Sequence, residues 1–360
     1  MASHNIAVIG TGDPEATGYA MAYHHAHAYD QLDGCELVAS ADIVPRNAER
    51  FAEEHGIGAE GVFEDHRAML AETQPDVVSV TVPPMVHAEI VIDCIRAPSV
   101  RAIHCEKPMA YRWGDSRLMA QEAIRHDVIL AFNHQRRFAK PFREAKRLLD
   151  AGDIGELQRV ECEIGGGLFF DYGSHSIDLC NYFNDEIPPA WVIGQVDYRE
   201  ENRVFGAHNA NQVSTRWQYL NGVHGSATAG FEGAIGAHNR LVGTGGVIEV
   251  GPADAEATLR IRRDGADWET IDTDGEGLHG WTYLDRAVAD TIQALDDGYE
   301  PELCANNALN ATEIIFATYE SARRRGRVDC PLTIEDNPLV DMVERGDLLA
   351  DATVESVEDS

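Results

Sequence analysis

The sequence is poor in lysine: Lys107, Lys140 and Lys146 are the only three among its 360 residues. It has no apolar run near the roughly 18 residues that a membrane-spanning helix needs, so an integral membrane protein is excluded. The first residues lack the basic segment and long apolar segment of a secretion signal. We therefore expect a cytoplasmic protein with no membrane partner.

The seven cysteines are an odd number, and no two of them form a Cys-x-x-Cys pair. A disulfide framework and a structural zinc site are both disfavoured, and we expect no bound metal. The histidines His24, His25 and His27 lie in a predicted helix without cysteine partners, so they too are expected to hold no metal.

Positive charge is scarce overall. The chain has 61 acidic and 29 basic residues, which gives a formal net charge of −32. Molar salt would screen the self-repulsion of such a surface, because the Debye length is then only about 3 Å. We predict a halophilic protein, with an ordinary acidic enzyme as the alternative. No basic face is visible, so a nucleic-acid partner is excluded.

The first third of the chain alternates short apolar strands with amphipathic stretches. This alternation predicts an α/β fold with a doubly wound parallel sheet, a Rossmann domain that we assign to residues 1–133. The predicted strands are 5–10, 36–42, one near 62, 76–82, 101–105 and 128–132. The predicted helices are 17–31, 45–55, 66–73, 85–96 and 113–126.

After residue 133 runs of strands and separate helices predict an α+β domain with one large open antiparallel or mixed sheet. We assign it to residues 134–335, for substrate binding and oligomerisation, and expect a loosely held acidic tail over 336–360. The predicted strands are 156–164, 191–198, 212–219, 225–231, 239–242, 246–250 and 257–262. The predicted helices are 140–151, 172–183, 283–295 and 305–323.

A glycine turn, Gly10-Thr11-Gly12, follows the first strand. Gly10 permits the tight turn, and Gly12 lets the backbone approach a pyrophosphate at the start of the next helix. The third glycine of the usual fingerprint is missing, because Glu15 stands in its place and Gly18 comes six residues after Gly12. The turn is therefore longer and more acidic than usual.

The second strand ends at Asp42, thirty residues after Gly12. A carboxylate at this position accepts hydrogen bonds from the adenosine ribose hydroxyls and repels a 2′-phosphate, which favours NAD over NADP. Arg46 lies one helical turn further on and would tolerate a phosphate, so NADP stays the alternative. Another role for Asp42 is to N-cap the helix after Pro45.

The predicted fifth strand ends in Glu106-Lys107-Pro108. Ligands of open α/β sheets bind beyond the carboxyl ends of the strands, where Lys107 is expected. An ammonium group there stabilises a developing alkoxide or polarises a carbonyl. The alternative is a solvated surface lysine, which the scarcity of lysine in this chain disfavours.

A third motif follows the three glycines 165–167. If a helix begins by Asp171, spacings of four and three residues place Asp171, His175 and Asp178 on one face. A histidine beside a carboxylate is suited to act as the general base for an alcohol. The alternative is a helix N-terminus that Asp171 caps, with His175 as a core histidine.

Together these motifs resemble the Gfo/Idh/MocA family, named for glucose–fructose oxidoreductase, inositol dehydrogenase and MocA, from about residue 6 to residue 332. The resemblance implies a two-domain fold in which Lys107, Asp171 and His175 line the substrate site beside the nicotinamide. The segments that carry it are 75–78, 81–84 with His87, 106–108, 133–137, 152–155, 165–175, 319–322, 328 and 331–332. The cofactor-binding residues expected are Gly10, Thr11, Gly12, Asp42, Arg46, Val82, Pro83, His87, Glu106, Lys107 and Asn133. The resemblance also implies a homodimer or homotetramer formed through the C-terminal sheet, and the charge balance predicts a haloarchaeal member.

These assignments predict an NAD-dependent oxidoreductase that transfers hydride between the nicotinamide and a hydroxyl or carbonyl carbon of a sugar or cyclic polyol. His175 takes the hydroxyl proton, Lys107 holds the oxygen, and Asp171 orients His175. Two alternatives remain: an enzyme that recycles its cofactor internally, such as an NAD-dependent glycosidase, and a non-catalytic NAD-binding sugar sensor. Trp281 and Tyr283 are expected in the core. Further side chains expected to reach substrate hydroxyls are Arg136, Arg137, Tyr172, His208, Asn209, Asn211, His238 and His279.

Overall fold

The computed structural model describes residues 3–17 and 20–348, so the expected acidic tail lies outside the described residues after position 348. The strands are β1 (His4–Ile9), β2 (Cys35–Ala41), β3 (Val62–Phe63), β4 (Val77–Val80), β5 (Ala102–Cys105), β6 (Ile129–Phe132), β7 (Leu157–Ile164), β8 (Pro189–Asp197), β9 (Arg203–Val204), β10 (Ala207–His208), β11 (Gln212–Tyr219), β12 (His224–Ala229), β13 (Ala237–Gly243), β14 (Gly246–Pro252), β15 (Leu259–Arg263), β16 (Glu269–Thr270) and β17 (Val328–Asp329). The α-helices are α1 (Pro14–Thr17), α2 (Met21–Asp30), α3 (Pro45–His55), α4 (His66–Thr73), α5 (His87–Arg96), α6 (Trp113–His126), α7 (Lys140–Asp150), α8 (Gly173–Phe183), α9 (Thr282–Asp297), α10 (Ala305–Arg324) and α11 (Pro338–Glu344).

The chain forms two compact units. One contains the described residues up to Arg147 together with Asp272–Thr312, and the other contains Leu148–Ile271 with the described residues from Glu313 onward. This division follows contacts and is not contiguous in sequence, so the domain boundaries expected at 133 and 335 stay predictions. Within the described ranges no helix combines the length and the apolar character needed to cross a membrane.

The first unit holds a six-stranded sheet in the order β3-β2-β1-β4-β5-β6, and every pairing in it is parallel. This confirms the predicted Rossmann sheet. The apolar run of β1 is explained by burial on both faces. Ile6 packs with residues of α2 and α9, whereas Ile9 packs in the opposite layer with residues of α5 and α6.

The second unit holds a nine-stranded sheet in the order β16-β15-β14-β13-β7-β12-β11-β8-β17. Only β7 and β12 pair in parallel, so the predicted mixed sheet is confirmed. Helix α8 packs on β7, β12 and β13. Phe169 and Phe170, just before α8, pack edge-on against Tyr319 and Phe316 of α10, with ring centroids 5.8 and 6.1 Å apart.

Three features differ from the sequence-based expectations. The single helix expected over 17–31 is instead a short helix, α1, followed by α2. The hairpin of β9 and β10 was not expected, because each strand has only two residues. Helix α11 occupies the start of the expected loose tail, where the Asn337 side chain caps it by accepting from the backbone nitrogens of Leu339 and Val340.

Candidate active site

A cavity of about 540 Å³ opens at the carboxyl ends of the first unit's central strands. Of the predicted cofactor-binding residues, Gly10, Gly12, Asp42, Val82 and Pro83 line it. The remaining lining residues are Ile9, Ala41, Ile43, Val44, Glu64, Asp65, His66, Arg67, Thr81, Val86, Glu89 and Ile90. The predicted glycine turn and the predicted strand-end acid therefore share one cavity.

The glycine turn needs glycine for two reasons. Gly10 has a φ of +87°, which side chains rarely adopt, and a Cβ atom there would lie 2.4 Å from Cγ1 of Val82. Its backbone nitrogen donates to the carbonyl of Ala41 at 2.8 Å, which fixes the turn against β2. Val82 thus packs so closely on the turn that no side chain fits at position 10.

Asp42 ties the end of β2 to this turn. Its Oδ2 accepts from the backbone nitrogen of Gly12 at 2.9 Å and from Oγ1 of Thr11 at 3.2 Å, and its Oδ1 accepts from the backbone nitrogen of Val44 at 2.8 Å. Helix α3 begins after Val44 and has no side-chain cap, so the N-cap role expected for Asp42 is wrong. The carboxylate instead braces the loop that a dinucleotide would contact.

An arginine of α3 pairs with the two acidic residues of the turn. Arg50 of α3 bonds to Oδ1 of Asp13 at 3.2 Å and to Oε1 of Glu15 at 2.9 Å. These ion pairs offset the two acids that lengthen the turn. Gly18, which the sequence offered as a late third glycine, lies outside the described residues.

Arg46 is exposed in the first turn of α3 and is not among the lining residues. The cavity wall includes instead two basic side chains that the sequence analysis did not select. His66 bonds through Nε2 to Asp93 at 2.9 Å, and the Arg67 guanidinium lies 2.7 Å from Glu89. Both residues follow β3. Because this strand has only two residues, the sequence gave no indication that their side chains would reach the cavity.

Lys107 stands directly beyond β5, after Glu106, and its side chain is half-buried. Oε1 of Glu106 accepts from Nδ2 of Asn133 at 2.6 Å and lies 3.0 Å from Nε2 of His25. Burial opposes ionisation of Glu106, but the bond from His25 and the charge of Lys107 prevail and lower its pKa to about 2. Glu106 is therefore a carboxylate at neutral pH.

His87 lies buried beneath this corner. Its Nε2 is 2.7 Å from the carbonyl oxygen of Val82, and its Nδ1 is 3.0 Å from that of Pro108. Burial lowers the pKa of His87, although both carbonyl oxygens favour the imidazolium form. His87 joins the loop after β4 to the loop after β5, so it supports the cavity wall from behind.

In the second unit, α8 begins at Gly173, so Asp171 lies in the turn before the helix. The expectation that Asp171 shares a helix face with His175 and Asp178 is therefore wrong. The backbone nitrogens of Tyr172 and Gly173 both donate to the carbonyl of Leu168, at 2.8 and 2.9 Å, which closes a turn before the helix. A distant side chain anchors this turn: Oδ1 of Asn209 accepts from the backbone nitrogens of Phe170 and Asp171, each at 3.0 Å.

His175 is only 4% exposed in the first turn of α8. The ring of Tyr172 stands edge-on to His175 at 6.3 Å and to His238 at 6.1 Å. The structure therefore groups three of the aromatic side chains expected to meet substrate.

The loop that precedes His238 is organised by one carboxylate. Glu163, near the end of β7, accepts from the backbone nitrogens of Gly233, Ile235 and Gly236 at 2.7, 2.7 and 2.8 Å. Partial burial opposes ionisation, but these three donors lower the pKa of Glu163. The loop from β12 to β13 is thus fixed beside the Tyr172 ring.

Comparison with known proteins identifies the family of the nucleotide-binding region. Residues 4–134 match the Gfo/Idh/MocA model, described as an oxidoreductase family with an NAD-binding Rossmann fold. This region of the chain belongs to the Gfo/Idh/MocA family. The cofactor class of the matched region is therefore NAD, as the sequence predicted.

Two curated relatives illustrate the similarity. Myo-inositol 2-dehydrogenase of Thermotoga maritima is 27% identical over 191 residues, which cover 49% of this chain and 56% of that protein. The scyllo-inositol 2-dehydrogenase (NAD(+)) of Bacillus subtilis is 26% identical over 281 residues, 74% of this chain and 79% of that protein. The match thus spans about half of the Thermotoga protein and more of the Bacillus one.

A solved structure shows the same fold over nearly the whole chain. The NAD-binding oxidoreductase of Klebsiella pneumoniae superposes with a TM-score of 0.77 at 22% identity, covering 92% of this chain and all of that one. The fold similarity therefore extends beyond the matched residues 4–134.

Several residues that were expected to bind substrate hydroxyls stabilise the fold instead. Asn209 holds the turn at Asp171, and Oδ1 of Asn211 accepts from the backbone nitrogens of Arg199 and Glu200. Nδ1 of His208 lies 2.5 Å from the hydroxyl of Tyr198, and burial lowers the pKa of His208. Their roles depend on contacts distant in sequence, which spacing alone does not indicate.

One expectation in the first unit is also revised. Trp281 was expected in the core, yet it is 47% exposed and stacks on His24 with ring centroids 3.5 Å apart. Tyr283, at 3% exposure, is a core residue as expected. In the described ranges no group of three or more metal-ligating side chains is suited to hold a metal ion.

Proposed function

We propose that this protein is an NAD-dependent dehydrogenase that transfers hydride between the nicotinamide and a hydroxyl-bearing carbon of a cyclic polyol or sugar. The observation that carries the proposal is the corner after β5, where a buried, ionised Glu106 precedes Lys107. Neighbouring strands of the same sheet carry the cavity around Gly10 and Asp42. The inositol dehydrogenases of Thermotoga maritima and Bacillus subtilis support a ring-shaped polyol as substrate.

The residues of the first unit fit the dinucleotide. The turn at Gly10 lines the cavity with backbone, because Val82 excludes a side chain at that position, and the Asp42 carboxylate is the acceptor that ribose hydroxyls require. Val82 and Pro83 complete the wall of the cavity. NAD supplies the hydride acceptor when it is bound.

The proposed chemistry assigns one role to each of three side chains. When the substrate is oxidised, its C–H bond yields the hydride and its O–H bond yields a proton. His175 takes that proton, because a neutral imidazole is a base suited to neutral pH. The Lys107 ammonium stabilises the oxygen as its proton leaves, and Asp171 orients His175. These roles rest on the family resemblance and are carried over residue by residue.

Spectrophotometry tests the proposal. We would follow NADH absorbance in molar potassium chloride with inositols, aldoses and their glycosides as substrates, beside the variant Lys107→Met. We expect turnover that this variant loses while its affinity for NADH stays near that of the wild type. Lys140→Met is the matched control, because Lys140 forms a surface ion pair with Asp274 at 2.6 Å.

Two outcomes would contradict the proposal. Unchanged turnover in Lys107→Met would remove Lys107 from the mechanism. Tight NADH binding with no turnover on any substrate would favour an internally recycling enzyme or a sensor. Net NADH release distinguishes a dehydrogenase from a glycosidase that returns its hydride to the product.

We also propose that the protein works in molar salt, in the cytoplasm of a haloarchaeon. The net charge of −32 supports this environment, and the seven free cysteines support a reducing compartment. A melting temperature that falls as potassium chloride is diluted from molar to about 0.1 M would agree, since the Debye length grows to about 10 Å. A melting temperature independent of salt would contradict it.

The proposed oligomer is a homodimer or homotetramer formed through the second unit's sheet. Thr215 bonds to Thr318 of α10 at 2.8 Å, so the opposite face of β8 and β11 is turned away from that helix. Ile193 lies on this opposite face, paired with Arg216, and is 45% exposed. Light scattering of Ile193→Lys should show smaller particles than the wild type, and unchanged particles would contradict the assignment.

A further inference from the structure

A buried polar cluster lies beneath the corner that carries Lys107, and its central member has no role in the proposed reaction. His25, on α2, is fully buried. Its Nδ1 lies 2.7 Å from Oγ of Ser79 on β4, and its Nε2 lies 3.0 Å from Oε1 of Glu106. A buried imidazole held at both nitrogens has one fixed orientation.

The cluster joins four elements at one point. Asn133, after β6, donates to the same Oε1 of Glu106 at 2.6 Å. The hydroxyl of Tyr29 lies 3.3 Å from Oγ of Ser79, so Ser79 contacts both His25 and Tyr29. Through Oε1 of Glu106, the corner after β5 is therefore anchored to α2 and to the residue after β6. His25 in turn joins α2 to β4 through Ser79.

We propose that His25 is a positioning residue: by bonding to Glu106 it keeps this buried carboxylate ionised and fixes the Glu106–Lys107 turn. The physical reason is desolvation. Glu106 is 7% exposed, and an ionised carboxylate at that depth is costly unless donors compensate for the lost water. If Glu106 took up a proton, it would lose the negative charge that His25 and Lys107 stabilise. Its bond to His25 would weaken, and the adjacent Lys107 would move. The proposal rests on the proposed function, because it assigns Lys107 to the reaction.

Other titratable groups face the same carboxylate. Those that interact with Glu106 electrostatically in the first unit are His24, His25, His87, His104, Cys105 and Lys107. His104 is the closest comparison, since it is equally buried and its ring stands 5.1 Å from that of His25. It bonds to Thr291 at 3.1 Å instead of to the Glu106 carboxylate. Replacing His104 thus disturbs the cluster while leaving the proposed contact.

A thermal double-mutant cycle tests the contact without any substrate. The variants are His25→Leu, Glu106→Gln and the two combined, with His104→Leu in place of His25→Leu as the control cycle. We expect the combined loss of melting temperature to be smaller than the sum of the single losses, since either change already breaks the pair. Losses that simply add, or equal coupling in the control cycle, would overturn the inference.

The pH dependence of the NADH dissociation constant tests the positioning role, because His175, as the proposed general base, governs the acid limb of kcat. Without His25, burial of Glu106 continues to raise its pKa while the main opposing bond is gone, so the pH at which NADH binding weakens on acidification should move upward. We expect a shift of more than about one pH unit in His25→Leu and none in His104→Leu. His25→Gln keeps an N–H donor toward Glu106, so it should retain most of the wild-type profile.

The two assays separate failure of this inference from failure of the proposed function. If the wild type turns over no substrate, the dehydrogenase proposal fails, but the pH dependence of NADH binding still tests the role of His25. If His25→Leu and His104→Leu shift the pH dependence of NADH binding equally, or His25→Leu leaves it unchanged, the positioning role is wrong. A profile in His25→Gln as displaced as in His25→Leu would also overturn it.

Discussion

Replacing Gly10 by alanine should weaken both the fold of the first unit and its hold on NAD. Two costs add. The φ of +87° strains any side chain by roughly 1–2 kcal/mol, and the new Cβ would lie 2.4 Å from Cγ1 of Val82 and 3.0 Å from its backbone nitrogen. Crowding of this kind in a packed site typically costs about 1–3 kcal/mol. We therefore expect a total loss near 3 kcal/mol in the free energy of unfolding.

Gly56 is the matched control for this experiment. It has a φ of +71° at the end of α3, yet nothing lies within 4 Å of the position its Cβ would take. Gly56→Ala should therefore cost only the strain, about 1 kcal/mol, and leave NADH affinity unchanged. The assays are equilibrium denaturation and titration of NADH fluorescence. Equal losses in the two variants would refute the close approach of Val82 as the reason for glycine.

The remaining predictions concern three polar anchors. Asp42→Asn places an N–H₂ group against a donor, the backbone nitrogen of Gly12. NADH should therefore bind about tenfold more weakly, and the preference of the protein for NADH over NADPH should fall. Fluorescence titration with both cofactors would show this. Glu163→Gln should cost about 2 kcal/mol at neutral pH by denaturation. Because the folded-state pKa of Glu163 is lowered, the wild-type advantage should shrink as the pH falls below about 4. Asn209→Ala leaves two buried backbone nitrogens unpaired, so it should cost about 1–3 kcal/mol and lower kcat more than it changes NADH affinity.

The regular elements could be predicted because their signals are local. Helices α3, α4 and α6 and strand β11 have the bounds expected from sequence. In α3, proline at the first position and a left-handed Gly56 after the last mark both ends. In β11, alternate residues are buried, as a strand with one covered face requires.

The anchor of the turn before α8 could not be predicted, because it lies far along the chain. Spacing allowed a helix from Asp171. The side chain of Asn209, 38 residues away, accepts from the backbone nitrogen of Asp171 and so anchors the turn. A single sequence gives no indication of a bond across that separation.

Some residues of the candidate site could likewise be predicted from local sequence, and others could not. Gly10, Gly12 and Asp42 are predictable because the turn chemistry and the strand end fix their positions. For His25 the sequence predicted only that it holds no metal. In the structure it forms a hydrogen bond with Glu106, which is 81 residues away. Its partner choice depends on how α2 lies against β4 and β5, which is a property of tertiary packing.

The scarcity of lysine, taken alone, does not single out Lys107. Lys140 is retained too, and its side chain is 46% exposed in a surface ion pair with Asp274. Exposed pairs of this kind contribute about 0–1 kcal/mol, so an acidic chain keeps some lysines without a catalytic reason. What distinguishes Lys107 is the preceding carboxylate, whose charge is held by donors from α2 and β6. A buried, compensated charge is costly to build, and that cost is the stronger physical argument that this corner serves chemistry.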